Sequence, residues 1–217
     1  MDREVERQTA KILLARHGET ESNRGGRVLG QSDSPLTSQG AASSRTLAES
    51  LRNEPIKIVF SSPLGRAVAT AGLFAEKFGL PVMKRDGLAE LSCGSWESRP
   101  RKDVLGERPL LRTTWTDRPP EGESYQDAEP RVGTVIEELS SFSGDDTVLV
   151  VGHAAVNRVF LKMWLDLALE PAIDLHIPHD AVYILGRGNQ LSMKRANGEK
   201  IRFSWLHAAN QSTLPRP

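Results

Sequence analysis

Three stretches of the chain combine arginine, histidine and small residues in a way that suits phosphoryl chemistry: Arg16-His17-Gly18-Glu19, Ser61-Ser62-Pro63-Leu64-Gly65-Arg66 and Gly152-His153. A phosphoryl group in transfer spreads negative charge over its three equatorial oxygens, so catalysis is mostly positioning and electrostatic stabilisation. Arginine fits that task because its planar guanidinium stays charged and can bond two phosphate oxygens at once. A neutral imidazole is a nucleophile when its other ring nitrogen donates to a fixed acceptor, which sets the tautomer. A leaving alkoxide needs a proton, and a carboxyl group such as Glu90 can supply it. None of these steps requires a metal. Singly, each residue has a plainer reading: a solvated Arg-His loop, an exposed helix arginine, a core histidine, a surface carboxylate. Their convergence carries the inference.

That convergence depends on the elements that hold the residues. Lys11–Arg16 (KILLAR), Ile56–Ser61 (IKIVFS) and Thr147–Gly152 (TVLVVG) read as buried strands, and each loaded stretch lies at or just beyond the end of one of them. In open parallel sheets ligands bind outside the carboxyl ends of the strands, so all three would deliver their side chains to one pocket. A helix is expected over Thr37–Asn53, with Leu47 and Leu51 four apart. Another should open with Ser62 as N-cap and Pro63 at the first helical position, run to about Phe78, and end at Gly79 and Pro81. A third is expected from about Val156 to Leu167. Residues 181–186, 190–195 and 201–206 read as later strands, the first two joined by a turn at Gly186-Arg187-Gly188-Asn189. Alternating strands and helices imply an α/β fold with a mostly parallel sheet. Residues 92–123 fit neither period and hold Pro100, Pro109, Pro119 and Pro120, the pattern of a lid or insertion. In the next helix, about Ser124 to Phe142, Pro130 predicts a kink or a late start.

Composition narrows the function classes. A chain of 217 residues, 38% hydrophobic and 26% charged, suits one domain over 1–217 with a large core. Lys+Arg and Asp+Glu number 28 each, a balance that argues against a nucleic-acid partner. The lone cysteine, Cys93, excludes an intramolecular disulfide and fits a reducing compartment; it reads as a small buried group. With a charged start and no run near the ~18 apolar residues of a membrane span, a cytoplasmic protein without membrane contact is expected. His176-Ile177-Pro178-His179 makes a poor metal site, because the proline spoils a helical pair and no Cys or acidic cluster lies beside it. Arg24-Gly25-Gly26-Arg27 lacks the ending of a nucleotide P-loop and reads as a rim whose arginines meet the substrate. Trp96 reads as packing the loop that carries Glu90. Neither a metal nor another cofactor is expected, and the late strands could pair across a homodimer.

Six segments in order resemble the histidine phosphatases, also called phosphoglycerate-mutase-like proteins: Ala15–Asn23 (ARHGETESN), Gly30–Gly40 (GQSDSPLTSQG), Ser61–Ala71 (SSPLGRAVATA), Leu88–Glu97 (LAELSCGSWE), Pro119–Tyr125 (PPEGESY) and Val148–Arg158 (VLVVGHAAVNR). The resemblance implies that His17 is the nucleophile, that Arg16, Arg66, Asn23 and His153 hold the phosphoryl group, and that Glu90 donates the proton. It also implies a three-layer sandwich of helices around a mostly parallel sheet. Arg24, Arg27, Gly30, Arg99 and Ala154 are expected around the substrate, a small phosphorylated metabolite. The chain departs from the family's usual pattern at Ala154-Ala155, where Gly-Gly is common, and at Ser98, where a glycine is common. Within the family, a phosphoglycerate mutase is the alternative to a phosphatase; mutases usually carry Asn-Glu-Arg-His-Tyr-Gly where this chain has Ala89-Glu90-Leu91-Ser92-Cys93-Gly94. A non-catalytic phospho-ligand module is disfavoured, since every expected catalytic side chain is present.

Overall fold

Apolar runs that cannot face water become the strands of a single sheet. The structure, a computed structural model, describes residues 10–106, 111–186 and 190–203. The first half runs β1 (Lys11–Arg16), α1 (Glu21–Arg24), α2 (Ser38–Ser50), β2 (Ile56–Ser61), α3 (Gly65–Phe78) and β3 (Val82–Lys84). The second runs α4 (Arg101–Leu105), α5 (Tyr125–Leu139), β4 (Thr147–Gly152), α6 (Ala154–Leu165), α7 (Leu169–Asp174), β5 (Ala181–Leu185), β6 (Leu191–Arg195) and β7 (Lys200–Arg202). Strand order is β3-β2-β4-β1-β5-β6-β7. The β3-β2-β4-β1 half is parallel, whereas β5, β6 and β7 join antiparallel, so the sheet is parallel where the site lies.

The faces follow the two-residue period of a strand. Leu13, Ala15, Val59, Leu149 and Val151 pack with Leu47 of α2 and with Ala67, Ala71 and Phe74 of α3. Their neighbours Ile12, Leu14, Phe60, Val148 and Val150 pack on the opposite face with Val132 and Leu139 of α5 and Val156 and Phe160 of α6. Every residue of β4 is buried, as a strand covered on both faces requires. Truncating a fully buried ring such as Phe160 to Ala should cost ~3–5 kcal/mol.

The helices differ from the sequence expectation at their ends. Thr37 caps α2 by accepting the Gly40 N–H, and Gly79, left-handed at φ 66°, closes α3. The start of α3 is at Gly65 rather than Pro63, with Leu64 as its N-cap; Ser62 is held at β4 instead, its N–H donating to Val151 O at 2.9 Å. Likewise α6 opens at Ala154, directly after His153, and not at Val156. No late start occurs in α5: the Ser124–Asp127 capping box sets its first turn and Pro130 lies inside the helix. Residues 92–123 hold a short 3-10 turn, Gly94–Trp96, and the five-residue α4. Of the expected strand 201–206, residues 204–206 lie outside the described residues, as do 187–189 of the expected turn. No described helix is long and apolar enough to cross a membrane.

Candidate active site

Adjacent parallel strands β2, β4 and β1 end at the same edge of the sheet, and each delivers a polar residue there. Arg16 is the last residue of β1 and His17 follows it, its N–H donating to Gly152 O at 3.0 Å. His153 follows β4, and Ser62 follows β2. The His17 and His153 rings lie 5.0 Å apart, centre to centre.

Hydrogen bonding sets the His17 tautomer. Nδ1 lies 2.8 Å from the Gly18 carbonyl oxygen, which can only accept, so Nδ1 carries the proton. On the far side the Arg66 Nε–H donates to Nε2 at 3.3 Å, which requires a lone pair on Nε2. Burial, together with His153, Arg16 and Arg66 nearby, holds the His17 pKa well below the usual 6.5. The ring is therefore neutral at ordinary pH, with its lone pair on the nitrogen that faces the Arg66 guanidinium.

Arg66 is itself nearly inaccessible. Its Nη1 donates to Ser32 O and its Nη2 to Gly30 O, both at 2.7 Å, and Asp33 lies 3.4 Å from Nη1. Burial lowers its pKa, with Glu90 and Asp33 opposing that shift. The loop that supplies those carbonyls is held by Glu97, whose carboxylate accepts from the backbone N–H groups of Gln31 at 2.8 Å, Ser32 at 2.6 Å and Cys93 at 3.0 Å. Gly30 has φ +52°, and a Cβ there would fall 2.3 Å from Glu97 Oε1. Neither Glu97 nor this loop was singled out by the sequence as a support for Arg66.

A strap between α7 and β5 braces the other side. Arg16 Nη1 donates to Ile177 O at 3.0 Å, Arg158 Nε to Leu175 O at 2.8 Å, and His179 Nδ1 to His17 O at 2.6 Å. Burial lowers Arg16 to about 10 and His179 to about 4. His153 is fully buried, its Nε2 2.7 Å from Ser62 Oγ; burial first and Arg66 second hold its pKa well below 6.5. Arg16 Nε and His153 Nδ1 are buried and have no partner among the described residues. His179 thus braces His17, and no group of three or more His/Cys/Asp/Glu suited to a metal occurs among the described residues.

Glu90 meets the first turn of α6. Its Oε1 accepts from Leu91 N at 2.9 Å and Val156 N at 3.0 Å, and its Oε2 from Ala155 N at 3.2 Å. Exposed helix N–H groups and the helix dipole favour an acidic group at that position. Asn23 occupies the third position of the α1 capping box, where its Oδ1 accepts from Thr20 and its amide –NH2 remains as a donor.

These residues line a pocket of about 230 Å³. Arg16, His17, Asn23, Arg27, Gly30, Arg66, Glu90 and Ala154 are on its wall, whereas His153 lies behind it. Two expected rim residues are elsewhere. Arg24 pairs with Glu21 on the exposed face of α1, and Arg99 is exposed outside the lining. Conversely, Arg101, Arg112, Tyr125 and Arg158 line the pocket although none was among the site residues expected from the sequence. Cys93 also lines it, but burial pushes its thiol up to about 11, so it is a packing group.

A parallel sheet that gathers neutral histidines and guanidinium groups at its carboxyl edge has the chemistry that suits a phosphoryl group, and comparison with known proteins gives the family. The chain belongs to the histidine phosphatase superfamily, whose branch 1 profile matches residues 12–197. It is 33% identical over 153 residues to phosphoserine phosphatase 1 of Hydrogenobacter thermophilus, covering 68% of this chain and 72% of the relative. A protein named probable phosphoglycerate mutase GpmB, from Yersinia pestis, is 33% identical over 162 residues, covering 72% of this chain and 75% of its own. Among solved structures, a mycobacterial glucosyl-3-phosphoglycerate phosphatase complexed with VO3 superposes with a TM-score of 0.71 at 26% identity, over 85% of this chain and 90% of that one.

Proposed function

We propose that this protein is a phosphomonoesterase that hydrolyses a small phosphorylated metabolite through a phosphohistidine on His17, with no metal. The observation that carries this reading is the His17 tautomer: Nδ1–H is tied to Gly18 O, and the Nε2 lone pair meets Arg66 Nε–H at the pocket. In the first step a bond forms between Nε2 and phosphorus as the P–O ester bond breaks. Glu90 gives its proton to the leaving oxygen, and Oε2, with the longer backbone contact, is the oxygen that has room to carry it. Glu90 then takes a proton from water as the water oxygen attacks phosphorus and the N–P bond breaks. Phosphate leaves, and His17 and Glu90 return to their starting states. Arg16, Arg66 and the Asn23 amide hold the non-bridging oxygens, supplying the positive charge that a metal supplies elsewhere.

The test is release of inorganic phosphate from glycerol phosphate and an aryl phosphate, before and after dialysis against a chelator. The reading predicts an unchanged rate; activity that vanishes with the chelator and returns with a divalent cation would contradict it. The relative named as a probable mutase favours a second reading, return of the phosphoryl group to a second hydroxyl. Isomerised phosphoglycerate in excess of free phosphate would establish it.

A further inference from the structure

We propose that Ser62 is a positioning residue that acts through His153: its hydroxyl fixes the His153 proton on Nδ1, so that the ring offers a hydrogen-bond donor to the phosphoryl group beside His17. The proposal rests on the phosphatase reading and adds to it a residue outside the pocket wall. Ser62 has the composition of a helix cap, yet α3 opens at Gly65 with Leu64 as its N-cap. Ser62 is fully buried just beyond β2 instead. Its N–H, donating to Val151 O at 2.9 Å, holds it against the strand that leads into His153. The hydroxyl therefore meets a fully buried ring from a fixed place.

Among the described residues Ser62 Oγ has two hydrogen-bonding neighbours: the Leu64 N–H, which donates to it at 3.3 Å, and His153 Nε2 at 2.7 Å. Leu64 N–H can only donate, so the hydroxyl hydrogen has one acceptor within reach, which is Nε2. When Ser62 donates, Nε2 keeps a lone pair and a ring with one proton bears it on Nδ1. That arrangement leaves a single buried group unsatisfied, the Nδ1–H. The opposite tautomer leaves two, the Nδ1 lone pair and the Ser62 hydrogen, and each buried unmade bond is costly. Burial, with Arg66 and Arg16 close by, disfavours a second proton on the ring. A buried N–H without a partner marks a place for an acceptor. The His153 ring stands 5.0 Å from that of His17, and Arg16 Nε, on the adjacent strand β1, is likewise buried and unpartnered among the described residues. Two such donors near one nucleophile suit an acceptor with several oxygens, as a phosphoryl group is. On the opposite tautomer a lone pair would meet those oxygens and repel them. Ser62 thus decides whether His153 attracts the reacting group or opposes it.

Two measurements test this. The first uses the full, unsubstituted chain with nitrogen-15-labelled histidine. At neutral pH the His153 Nδ1 should resonate as a protonated imidazole nitrogen and Nε2 as an unprotonated one. A protonated Nε2 overturns the proposal, and no substitution that could disturb folding is involved. The second is a double-mutant cycle read as kcat/KM on an aryl phosphate. Ser62→Ala should lower it by ~10–100-fold, the effect of losing one buried hydrogen bond that sets a donor. In a His153→Ala background the same change should cost no more than about twofold, because Ser62 then has no ring to act through. Equal losses in the two backgrounds are what a merely structural serine at the end of β2 would give, and they overturn the proposal; so does an undiminished Ser62→Ala. All of these results leave the phosphatase reading intact. Release of phosphate from no ester by the unsubstituted protein removes that reading and the role of Ser62 with it, while the nitrogen resonances still report the tautomer.

Discussion

Replacing Glu90 by Gln separates proton donation from charge holding. The side chain has one job in the structure and a second in the proposed mechanism, and the substitution affects them unequally. As a structural acceptor, Glu90 takes Leu91 and Val156 N–H on Oε1 and Ala155 N–H on Oε2. A Gln can keep its carbonyl on the first pair, which then sets its –NH2 against the Ala155 N–H, donor to donor. Losing that acceptor should cost ~1–3 kcal/mol of stability, visible as a lower urea midpoint. As a general acid, Glu90 matters in proportion to how badly the leaving oxygen needs a proton. For an alkyl phosphate the loss should be ~10²–10⁴-fold in kcat, or about 3–5 kcal/mol of barrier. An aryl phosphate leaves as a stabilised anion and should lose roughly tenfold or less. The assay is kcat/KM on glycerol phosphate and an aryl phosphate for both proteins, below the unfolding transition. Equal losses on the two substrates would mean that Glu90 only positions or binds, and that the acid lies elsewhere.

The pH dependence of stability comes from three buried imidazoles. His17 and His153 have folded pKa values well below 6.5, and His179 is lowered to about 4. The unfolded chain therefore binds more protons in acid, so their contribution is complete above pH 6.5 and is lost as pH falls toward the folded values. Each can contribute up to ~1.4 kcal/mol per pH unit in that window; a urea midpoint unchanged from pH 7 to 5 would show that they are not held neutral. At Gly30, an alanine would be strained at φ +52° and would place its Cβ against Glu97 and Cys93 N. Gly30→Ala should cost ~1–3 kcal/mol and lower kcat, because the Gly30 carbonyl orients Arg66; wild-type stability and rate together would refute that coupling.

Legibility in the sequence tracks the physics of each element. The strands Lys11–Arg16, Ile56–Ser61 and Thr147–Gly152 are readable to the residue because their cores must be apolar to be buried. The short β3, at the sheet edge with Met83 and Lys84 exposed, carries no such signature and escapes a reading by pattern. The start of α3 is misplaced by the sequence because Ser62-Pro63 has the composition of a cap, while Ser62 is pinned to β4 and His153 instead. Strand ends point to His17, Arg66 and His153, since a parallel sheet gathers at one edge the residues just beyond its carboxyl ends. Arg112 and Arg158 are invisible because an arginine facing a pocket has the same letter as one facing water; only packing separates them, and Arg101 too, from Arg24 and Arg99. The strap at residues 175–179 is hidden for a related reason, since its carbonyls act without regard to side-chain type.

The central claim is a covalent bond from phosphorus to His17 Nε2, and trapping it is the most direct measurement. Brief mixing with a labelled phosphate ester, followed by denaturation in base, should yield one labelled site per chain that acid removes and base preserves. Peptide mapping should place the label on His17, and His17→Ala should carry none although it folds. Label that persists in His17→Ala, or that survives acid as a serine ester would, contradicts the account.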